Sequence, residues 1–445
     1  MTGPDSAAEP GLARSLGLFD ATLLGVGTMV GSGIFFVPAS IAAQLGPPWL
    51  QLGVWVVAAL ISLLGALTFA ELGVALPRVG GLLVYLKEAY GPVWGFLYGW
   101  ALFAIVQSGS IAAVAVAFAT ALEKLVPVPT TPVAVGVICA LTAVNALGVR
   151  TGVWAQNLVT LAKVLVIGGL VVLAATTTSG SLAHLSTTPA GAAPVTLGGF
   201  GIALLAALWA FDGWIHTSYV AGEIRDPART LPRANCLAVV GVMLLYLALN
   251  TAYLWVLGAD GVAASALPAA DTAAARLGRA GAGFAALLVL VATLGAANGM
   301  VLAGARVTYA MAKEGMFLPA AGRIDPRLGT PAIALVLQGA WAIGLVFSGR
   351  YEQLFTCVIF AEWIFFGMGA AAIFVLPRRG HPLPYRAPGS PAIVALFLLA
   401  TVALLVSTLL ETPRDALLGL GLLVLGLPAY FYFRPAAPAL GGSAP

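Results

Sequence analysis

Glycines interrupt the first apolar stretch of this chain where a helix would otherwise continue. The segment Gly25–Phe36 reads GVGTMVGSGIFF and contains four glycines. Each glycine in a helix interior costs about 1 kcal/mol relative to alanine. A helix that breaks here presents free backbone N–H groups at the start of its second half, and such groups bind anions, for example a carboxylate. The free carbonyl groups at the end of its first half suit an ammonium group.

A second apolar stretch is interrupted in the same way. It reads LLAALWAFDGWIHTSYVAGEI, with Asp212 and Gly213 in its middle. Backbone groups freed within hydrocarbon are tolerated only where they are buried in protein or line a cavity. Carbonyl groups around Trp209 and Ala210 add to those of the first break. A zwitterion that carries its ammonium and carboxylate groups on one carbon would bridge the two breaks.

The composition places both breaks in a membrane. The chain has 445 residues, of which 60% are hydrophobic and 9% charged, with a mean hydropathy of +1.00. A soluble domain has roughly a quarter of its residues charged. Runs of about 20 apolar residues, each long enough to cross a hydrocarbon core, recur along the chain. We predict twelve spans, near 17–45, 51–76, 93–119, 132–147, 154–175, 199–221, 235–258, 283–312, 331–348, 353–376, 391–410 and 415–433.

The distribution of cationic residues predicts the orientation. An even number of spans places both tails, 1–16 and 434–445, on one side of the membrane. If that side is the cytoplasm, fourteen of the 21 lysines and arginines lie on inner segments and five on outer segments. Cytoplasmic loops carry the excess of lysine and arginine. We therefore expect a multi-pass protein of the cell (inner) membrane with cytoplasmic termini.

The two interrupted spans are the first and the sixth, which suggests a repeat of five spans. Because five is odd, the second half (199–376) would be inverted relative to the first (17–175). The two remaining spans, 391–433, would follow this transport core. Interrupted spans at corresponding places in two inverted halves indicate the central binding site of a transporter.

Five motifs resemble a known superfamily. The stretch GVGTMVGSGIF is similar to the span-one signature of the amino acid–polyamine–organocation superfamily. Later motifs resemble its spans two, six, eight and ten, and they lie at Phe69–Gly91, Trp209–Ala234, Gly295–Pro319 and Ala361–Arg379. The motif at Trp209–Ala234 looks like the L-type amino acid transporter branch. The resemblance covers about residues 15–434 and implies an all-α membrane protein with twelve transmembrane helices. Its implied fold is the leucine-transporter-like 5+5 inverted repeat, with helices one and six broken and two further C-terminal helices.

The resemblance also implies the substrate-binding residues. They are Met29, Gly31, Ser32, Gly33, Trp209, Ala210 and Asp212. The carboxylate would meet Ser32 and the amides near Gly31 and Gly33, where a side chain would block close approach of the ligand to the backbone. The ammonium would meet carbonyl groups of the other four residues. Trp209 occupies the aromatic gate position, where the family usually has a phenylalanine, and its larger ring would narrow the pocket.

Lys163 and Tyr246 are predicted to couple and gate transport. Lys163 lies about 13 Å into its span at 1.5 Å per residue, and an ionisable group at that depth indicates function. The alternative is a lysine whose amine snorkels to the headgroups. In sodium-independent relatives a lysine here resembles a replacement for the cation and ties the first span to the eighth. The resemblance implies that Tyr246 works with it. Exchange and proton symport both remain open.

Other charged residues carry several interpretations. Asp212 could carry a proton, contact a basic substrate or accept hydrogen bonds from the broken backbone. Asp212 and His216 are four residues apart, but no third ligand accompanies them, so we expect no metal site. Glu362 is expected to be paired within the bundle. Glu71 and Arg306 are interpreted as inner-gate or structural ion-pair residues. For Glu223 an inner-gate role is one interpretation, and the other is that topology alone explains its charge.

We therefore predict a sodium-independent secondary transporter that most resembles an exchanger of neutral L-amino acids. A proton-coupled symporter, or a carrier of cationic amino acids or polyamines, is the alternative. An enzyme would need a nucleophile with a positioned base or a metal cluster, and a pump would need a P-loop; neither pattern occurs. We predict no catalytic residue and no cofactor. The predicted partners are the amino acid substrate and membrane lipid, without nucleic acid. No disulfide-linked heavy subunit is expected, because the loop at 120–131 has no cysteine.

Overall fold

A computed structural model describes residues 12–123, 125–188, 194–348, 351–411 and 413–433. Most of the predicted N-terminal tail and the whole predicted C-terminal tail lie outside these residues. The regular elements of the described residues are helices, and one isolated parallel β-bridge joins Leu16 to Ile224.

Nineteen α-helices follow one another along the described chain. The first ten are α1 (Leu18–Met29), α2 (Gly33–Leu45), α3 (Pro48–Ala75), α4 (Leu82–Tyr90), α5 (Pro92–Ala101), α6 (Gln107–Glu123), α7 (Thr130–Ala146), α8 (Val149–Ala175), α9 (Leu182–Ser186) and α10 (Leu197–Phe211). The other nine are α11 (His216–Tyr219), α12 (Pro227–Ala264), α13 (Pro268–Leu277), α14 (Ala280–Lys313), α15 (Ala332–Ser348), α16 (Tyr351–Val375), α17 (Ala392–Glu411), α18 (Pro413–Val424) and α19 (Gly426–Phe433).

Proline marks the start of several of these helices. Pro48, Pro92 and Pro227 are the first residues of α3, α5 and α12. The proline ring fixes φ near its helical value. Proline lacks a backbone N–H group, but at the first position of a helix that group would have no acceptor within the helix. These prolines therefore set helix boundaries at the ends of spans without disturbing the helices behind them.

The helices form a membrane bundle around α14. Among the described residues, nine helical segments are long and apolar enough to cross a membrane, and the bent pair α1–α2 makes a tenth. Two shorter apolar helices, α7 and α15, have 17 residues each. In the apolar 18-residue segment of α14, 78% of the residues are buried, whereas in that of α17 only 22% are. The multi-pass helical architecture is thus confirmed, while the count of twelve spans and the inverted repeat remain predictions.

The structure has an interruption at both places where the sequence indicates one. Helices α1 and α2 are bent by 48° at residues 30–32. Helix α10 ends at Phe211, and a 3₁₀ turn over Asp212–Ile215 leads into the single turn of α11. The two breaks touch, because the Thr28 hydroxyl donates a hydrogen bond of 2.9 Å to the Gly213 carbonyl.

Gly213 allows this contact, since a Cβ there would collide with the backbone of Thr28 and Met29. We expect Gly213→Ala to separate the breaks and to destabilise the protein by about 1–3 kcal/mol, as overpacking does. The measurement is the midpoint of thermal unfolding in detergent. Gly53→Ala in α3 is the matched control, because a Cβ there has no atom within 4 Å. Equal midpoints for the two variants would contradict the tight crossing.

Candidate functional site

A cavity of about 230 Å³ lies between the two breaks. All seven sequence-predicted substrate residues line it, and they are Met29, Gly31, Ser32, Gly33, Trp209, Ala210 and Asp212. The rest of its wall comes from Thr28, Val106, Ser110, Ala113, Val114, Gly213, His216, Ala296, Met300 and Glu362. The structure therefore brings the predicted set together around a single space, with α6, α14 and α16 closing it.

The start of α2 offers backbone donors to this cavity. The N–H of Gly31 donates to the Met29 carbonyl at 2.8 Å and is already used. Within the described residues, no backbone acceptor is found for the N–H groups of Ser32, Gly33 and Ile34. The first N–H groups of a helix have no intrahelical partner and carry a partial positive charge. The amides that follow Gly31, together with the Ser32 hydroxyl, are thus the groups here that are able to bind an anion.

The carbonyl groups at the breaks are partly occupied by the protein itself. The Tyr246 hydroxyl lies 2.9 Å from the Met29 oxygen and 3.0 Å from the Ala210 oxygen. A hydroxyl has one proton, which these two oxygens must share, and the Met29 oxygen also accepts the Gly31 N–H. The carbonyl of Trp209 accepts the Asp212 N–H. A carbonyl oxygen has two lone pairs, and the Ala210 oxygen has the Tyr246 hydroxyl as its side-chain partner.

The Trp209 indole covers one wall of the cavity. A Cβ at Gly33 would lie 3.1 Å from the indole Cζ3 atom and 3.4 Å from the Ala210 Cβ. The ring therefore packs directly over the first turn of α2. This placement agrees with the aromatic gate position inferred from the resemblance, although the gating role itself stays a prediction.

Sequence reasoning did not identify the wall formed by α6. A π-helical turn at Leu102–Val106 precedes α6. Its last residue, Val106, and Ser110 in α6 both line the cavity. The Ser108 hydroxyl donates to the Phe103 carbonyl at 2.7 Å and satisfies a backbone group within the turn. Turns of this kind occur frequently at functional sites. The polar run QSGS at 107–110, inside an otherwise apolar span, was the signal that could have found this wall.

Two carboxyl groups share one end of the cavity. Asp212, in the 3₁₀ turn after α10, and Glu362, on α16, both line the cavity and lie close enough for their carboxyl groups to share a hydrogen bond. His216 lies beside them and is held through its Nδ1 at 3.2 Å from the Gly213 carbonyl and its Nε2 at 3.3 Å from the Gln107 amide. A hydrogen bond between two carboxyl groups requires a proton on one of them. The expected pairing of Glu362 within the bundle is present, with Asp212 as its partner.

Lys163 is buried against the first broken helix. Its side chain is 1% exposed, and its amine donates to the carbonyls of Gly27 and Val30, each at 2.7 Å. The side chain also packs on Gly295 of α14. The alternative of a snorkelling lysine is wrong, because the amine points into the bundle. The lysine joins the first span to the eighth, as the resemblance implies.

The comparison with known proteins decides the family. The sequence matches the amino acid permease family over residues 16–418. This chain belongs to that family. It is 32% identical to the serine/threonine exchanger SteT of Bacillus subtilis over 95% of this chain and 97% of that protein.

Animal relatives of this permease match it over nearly the same length. The b(0,+)-type amino acid transporter 1 of Rattus norvegicus is 32% identical over 95% of this chain and 88% of that protein. Large neutral amino acids transporter small subunit 2 of Mus musculus is 28% identical over 97% of this chain and 84% of that protein. These relatives and the family are transporters and not enzymes. Among the described residues, no three His, Cys, Asp or Glu side chains gather as a metal site would require.

Ion pairs close the permease on the face opposite to α13. Arg306 Nε and Glu223 Oε1 are 2.8 Å apart, and the two side chains are 1% and 0% exposed. The Glu223 carbonyl also accepts the Leu16 N–H at 2.9 Å. Glu71, also buried, accepts the Ala387 N–H at 2.8 Å. The expectation that these three charged residues form ion-pair or gate contacts thus has a structural basis, while opening at this face remains to be tested.

A charged cluster holds the short helix α4 at the same face. Lys87 pairs with Glu314 after α14, and Arg78 pairs with Glu88. Partial burial raises the pKa of Glu88, but the hydrogen bond and charge of Arg78, with the charges of His381 and Lys87, outweigh it and hold this pKa below its ordinary value. These contacts fix the loop between the second and third spans against the end of α14.

The Tyr246 hydroxyl lies within hydrogen-bond distance of a carbonyl at each break. We expect Tyr246→Phe to lower the free energy of unfolding by about 0.5–1.5 kcal/mol, because the one hydroxyl proton that the two carbonyls share is lost. Tyr253→Phe is the matched control, since the Tyr253 hydroxyl is buried without a partner in the described residues. Thermal unfolding and substrate exchange are measured for both. A Tyr246 variant that behaves like the Tyr253 variant would show that the hydroxyl bridge has no role.

Proposed function

We propose that this permease exchanges neutral L-amino acids across the cell membrane by alternating access, without sodium. The observation that carries this proposal is the cavity between two broken helices. One side of it offers free N–H groups at the start of α2, and the other offers carbonyl groups at the end of α10. Groups of opposite polarity a few ångströms apart match the carboxylate and ammonium of one α-amino acid.

The contacts refine the expected pose of the substrate. The carboxylate binds the amides of Ser32, Gly33 and Ile34 and the Ser32 hydroxyl, because the Gly31 amide is already used. The ammonium binds the carbonyls of Ala210 and Trp209 in preference to that of Met29, because the Met29 oxygen already accepts the Gly31 N–H and lies 2.9 Å from the Tyr246 hydroxyl. The side chain then points towards Val106, Ala113 and Met300 on α6 and α14, an apolar wall that favours neutral substrates.

Lys163 supports the absence of sodium coupling. Its amine occupies the space between two carbonyl oxygens of α1 and a glycine of α14. A monovalent cation bound there would need the same oxygens. The fixed amine thus supplies the charge that a sodium ion would bring, and the first span stays joined to the eighth without a cotransported ion.

Further parts of the proposal rest on charge and on cysteine positions. We place both termini in the cytoplasm, because the loops on that side hold most of the arginines and lysines. Twelve spans arranged as two inverted halves of five with two additional helices fit this orientation. We propose that the permease acts without a disulfide-linked heavy subunit, since the loop between spans three and four lacks a cysteine.

Transport by purified protein in liposomes tests the exchange mechanism. We expect uptake of labelled serine, threonine, alanine or leucine to require unlabelled amino acid trapped inside, and to be unchanged by sodium or by an acidic exterior. Competition among the unlabelled amino acids then identifies the substrates. Uptake into empty vesicles driven by an acidic exterior would overturn exchange in favour of proton symport, and Lys163→Met would be the first variant made.

A second candidate is a carrier of cationic amino acids, and the Asp212–Glu362 pair favours it. The pair carries a negative charge unless both groups are protonated, and within the described residues no lysine or arginine forms an ion pair with either group. A distal ammonium or guanidinium of a substrate would supply the missing partner. Burial of an uncompensated charge is expensive, so such a substrate gains affinity from the pair.

Substitution at Asp212 separates these two candidates. A cationic carrier would be inhibited by lysine or ornithine, and Asp212→Asn would raise the half-saturating concentration of these substrates by about tenfold or more, as loss of a close charge pair does. For the neutral exchanger that we favour, lysine does not compete and Asp212→Asn leaves affinity for neutral amino acids within a few-fold. Asp260→Asn, which removes an exposed carboxylate at the end of α12, is the control.

A further inference from the structure

A second polar pocket opens where α1 and α8 begin. It has a volume of about 330 Å³. Its wall consists of Ser15, Leu16, Asp20, Arg150, Val153, Trp154, Asn157 and Arg225. These residues come from the segment before α1, the first turn of α1, the first turns of α8 and the loop after α11. The pocket is therefore at the end of the bundle that the Glu223–Arg306 pair closes, and it is separate from the central cavity.

The pocket holds two arginines that form no ion pair within the described residues. Arg150 and Arg225 are exposed, and neither lies within ion-pair distance of a described carboxylate. Asp20 also lines the pocket, but its two oxygens face neutral donors, the Gly17 N–H at 3.0 Å and the Asn157 amide at 2.7 Å, and not the guanidinium groups. Arg225 Nε donates only to the Arg14 carbonyl, at 3.4 Å. Most of the guanidinium donors of both arginines remain available to an anion.

One side of the pocket continues onto the lipid-facing surface of α8. Trp154 on its rim is 66% exposed, and Leu158 and Leu165 farther along the same helix are 52% and 74% exposed. Tryptophan is enriched where hydrocarbon meets headgroups. The apolar stripe begins at the arginines and runs towards the middle of the membrane. A soluble anion would use only the polar part of this surface.

We propose that this pocket binds the phosphate headgroup of an anionic phospholipid, whose acyl chains lie along the exposed leucines of α8. Arg150 and Arg225 contact the phosphate, since guanidinium groups match phosphate oxygens in geometry and charge. Basic pockets between membrane helices on the cytoplasmic side bind such headgroups. Trp154 marks the depth at which headgroup and acyl chain meet.

The location links the lipid to movement of α1. A small cavity lies directly behind the pocket, and both are lined by Leu16, Asp20, Val153 and Asn157. The Asn157–Asp20 hydrogen bond is the polar contact that joins α8 to α1 here. A phospholipid bound at this junction contacts both helices at once. It therefore holds α1 against α8 at the closed face of the permease.

Native mass spectrometry of the purified full-length protein in detergent tests the proposal. The protein is titrated with dioleoylphosphatidylglycerol, with dioleoylphosphatidylcholine and, as a soluble phosphate, with glycerol 3-phosphate. We expect tighter binding of phosphatidylglycerol than of phosphatidylcholine. The double variant Arg150→Gln/Arg225→Gln should weaken binding of phosphatidylglycerol by about tenfold, as expected when two arginines near an anionic headgroup are lost. Trp154→Ala should weaken the binding of both lipids.

The matched control is Arg323→Gln/Arg327→Gln, which removes two exposed arginines between α14 and α15 without touching the pocket. Equal effects of the two double variants would overturn the site, because they would show a general charge effect. Equal binding of the two lipids to the unaltered protein would overturn it without any variant. Displacement of bound phosphatidylglycerol by glycerol 3-phosphate at similar concentration would show a free-phosphate site instead.

Discussion

The protein depends on one constraint, which is that backbone groups freed inside a membrane must find partners within the protein. The break between α1 and α2 frees carbonyls and amides near the middle of the bundle. Lys163 satisfies the carbonyls of Gly27 and Val30, and Tyr246 satisfies that of Met29. The amides that follow Gly31 are left over. Within the part of the chain that the structure describes, these carbonyls have donors and the amides have no backbone acceptor, which supports the proposal that the first break binds an anionic group.

The same contacts set what must change during transport. Tyr246 joins the first break to α10, and Lys163 joins it to α8 and α14. Thr28 adds a direct contact between the breaks. Movement of α1 would therefore break several of these hydrogen bonds at once. A bound zwitterion that contacts both breaks would stabilise the arrangement in which the breaks stay together. Small shifts at such a centre become large ones when packed helices have two alternative arrangements.

Much of this arrangement could be predicted from the sequence because it rests on local signals. Glycine clusters mark the breaks, long apolar runs mark the spans, and a lysine within an apolar run stands out. The pairing of Asp212 with Glu362 could not be predicted, since it joins residues 150 positions apart on helices whose rotation depends on packing. The hydrogen bond from the Gly31 N–H to the Met29 carbonyl could not be predicted either, because it depends on the backbone geometry of the break. The α6 wall was missed because a π turn changes which residues face inward.

That π turn has a consequence for how this family of proteins can diversify. A π turn accommodates one more residue than the same length of α-helix, and each residue turns the helix by about 100°. Loss of one residue from 102–106 would restore a regular helix and rotate either the part before the turn or the part after it. If the part after the turn rotates, Ser110 and Ala113 would leave the cavity wall together, and different side chains would replace them. A single deletion could thus change substrate selectivity more than a point substitution. If this span were aligned without a gap to a relative that lacks the π turn, the alignment would pair residues that face different directions.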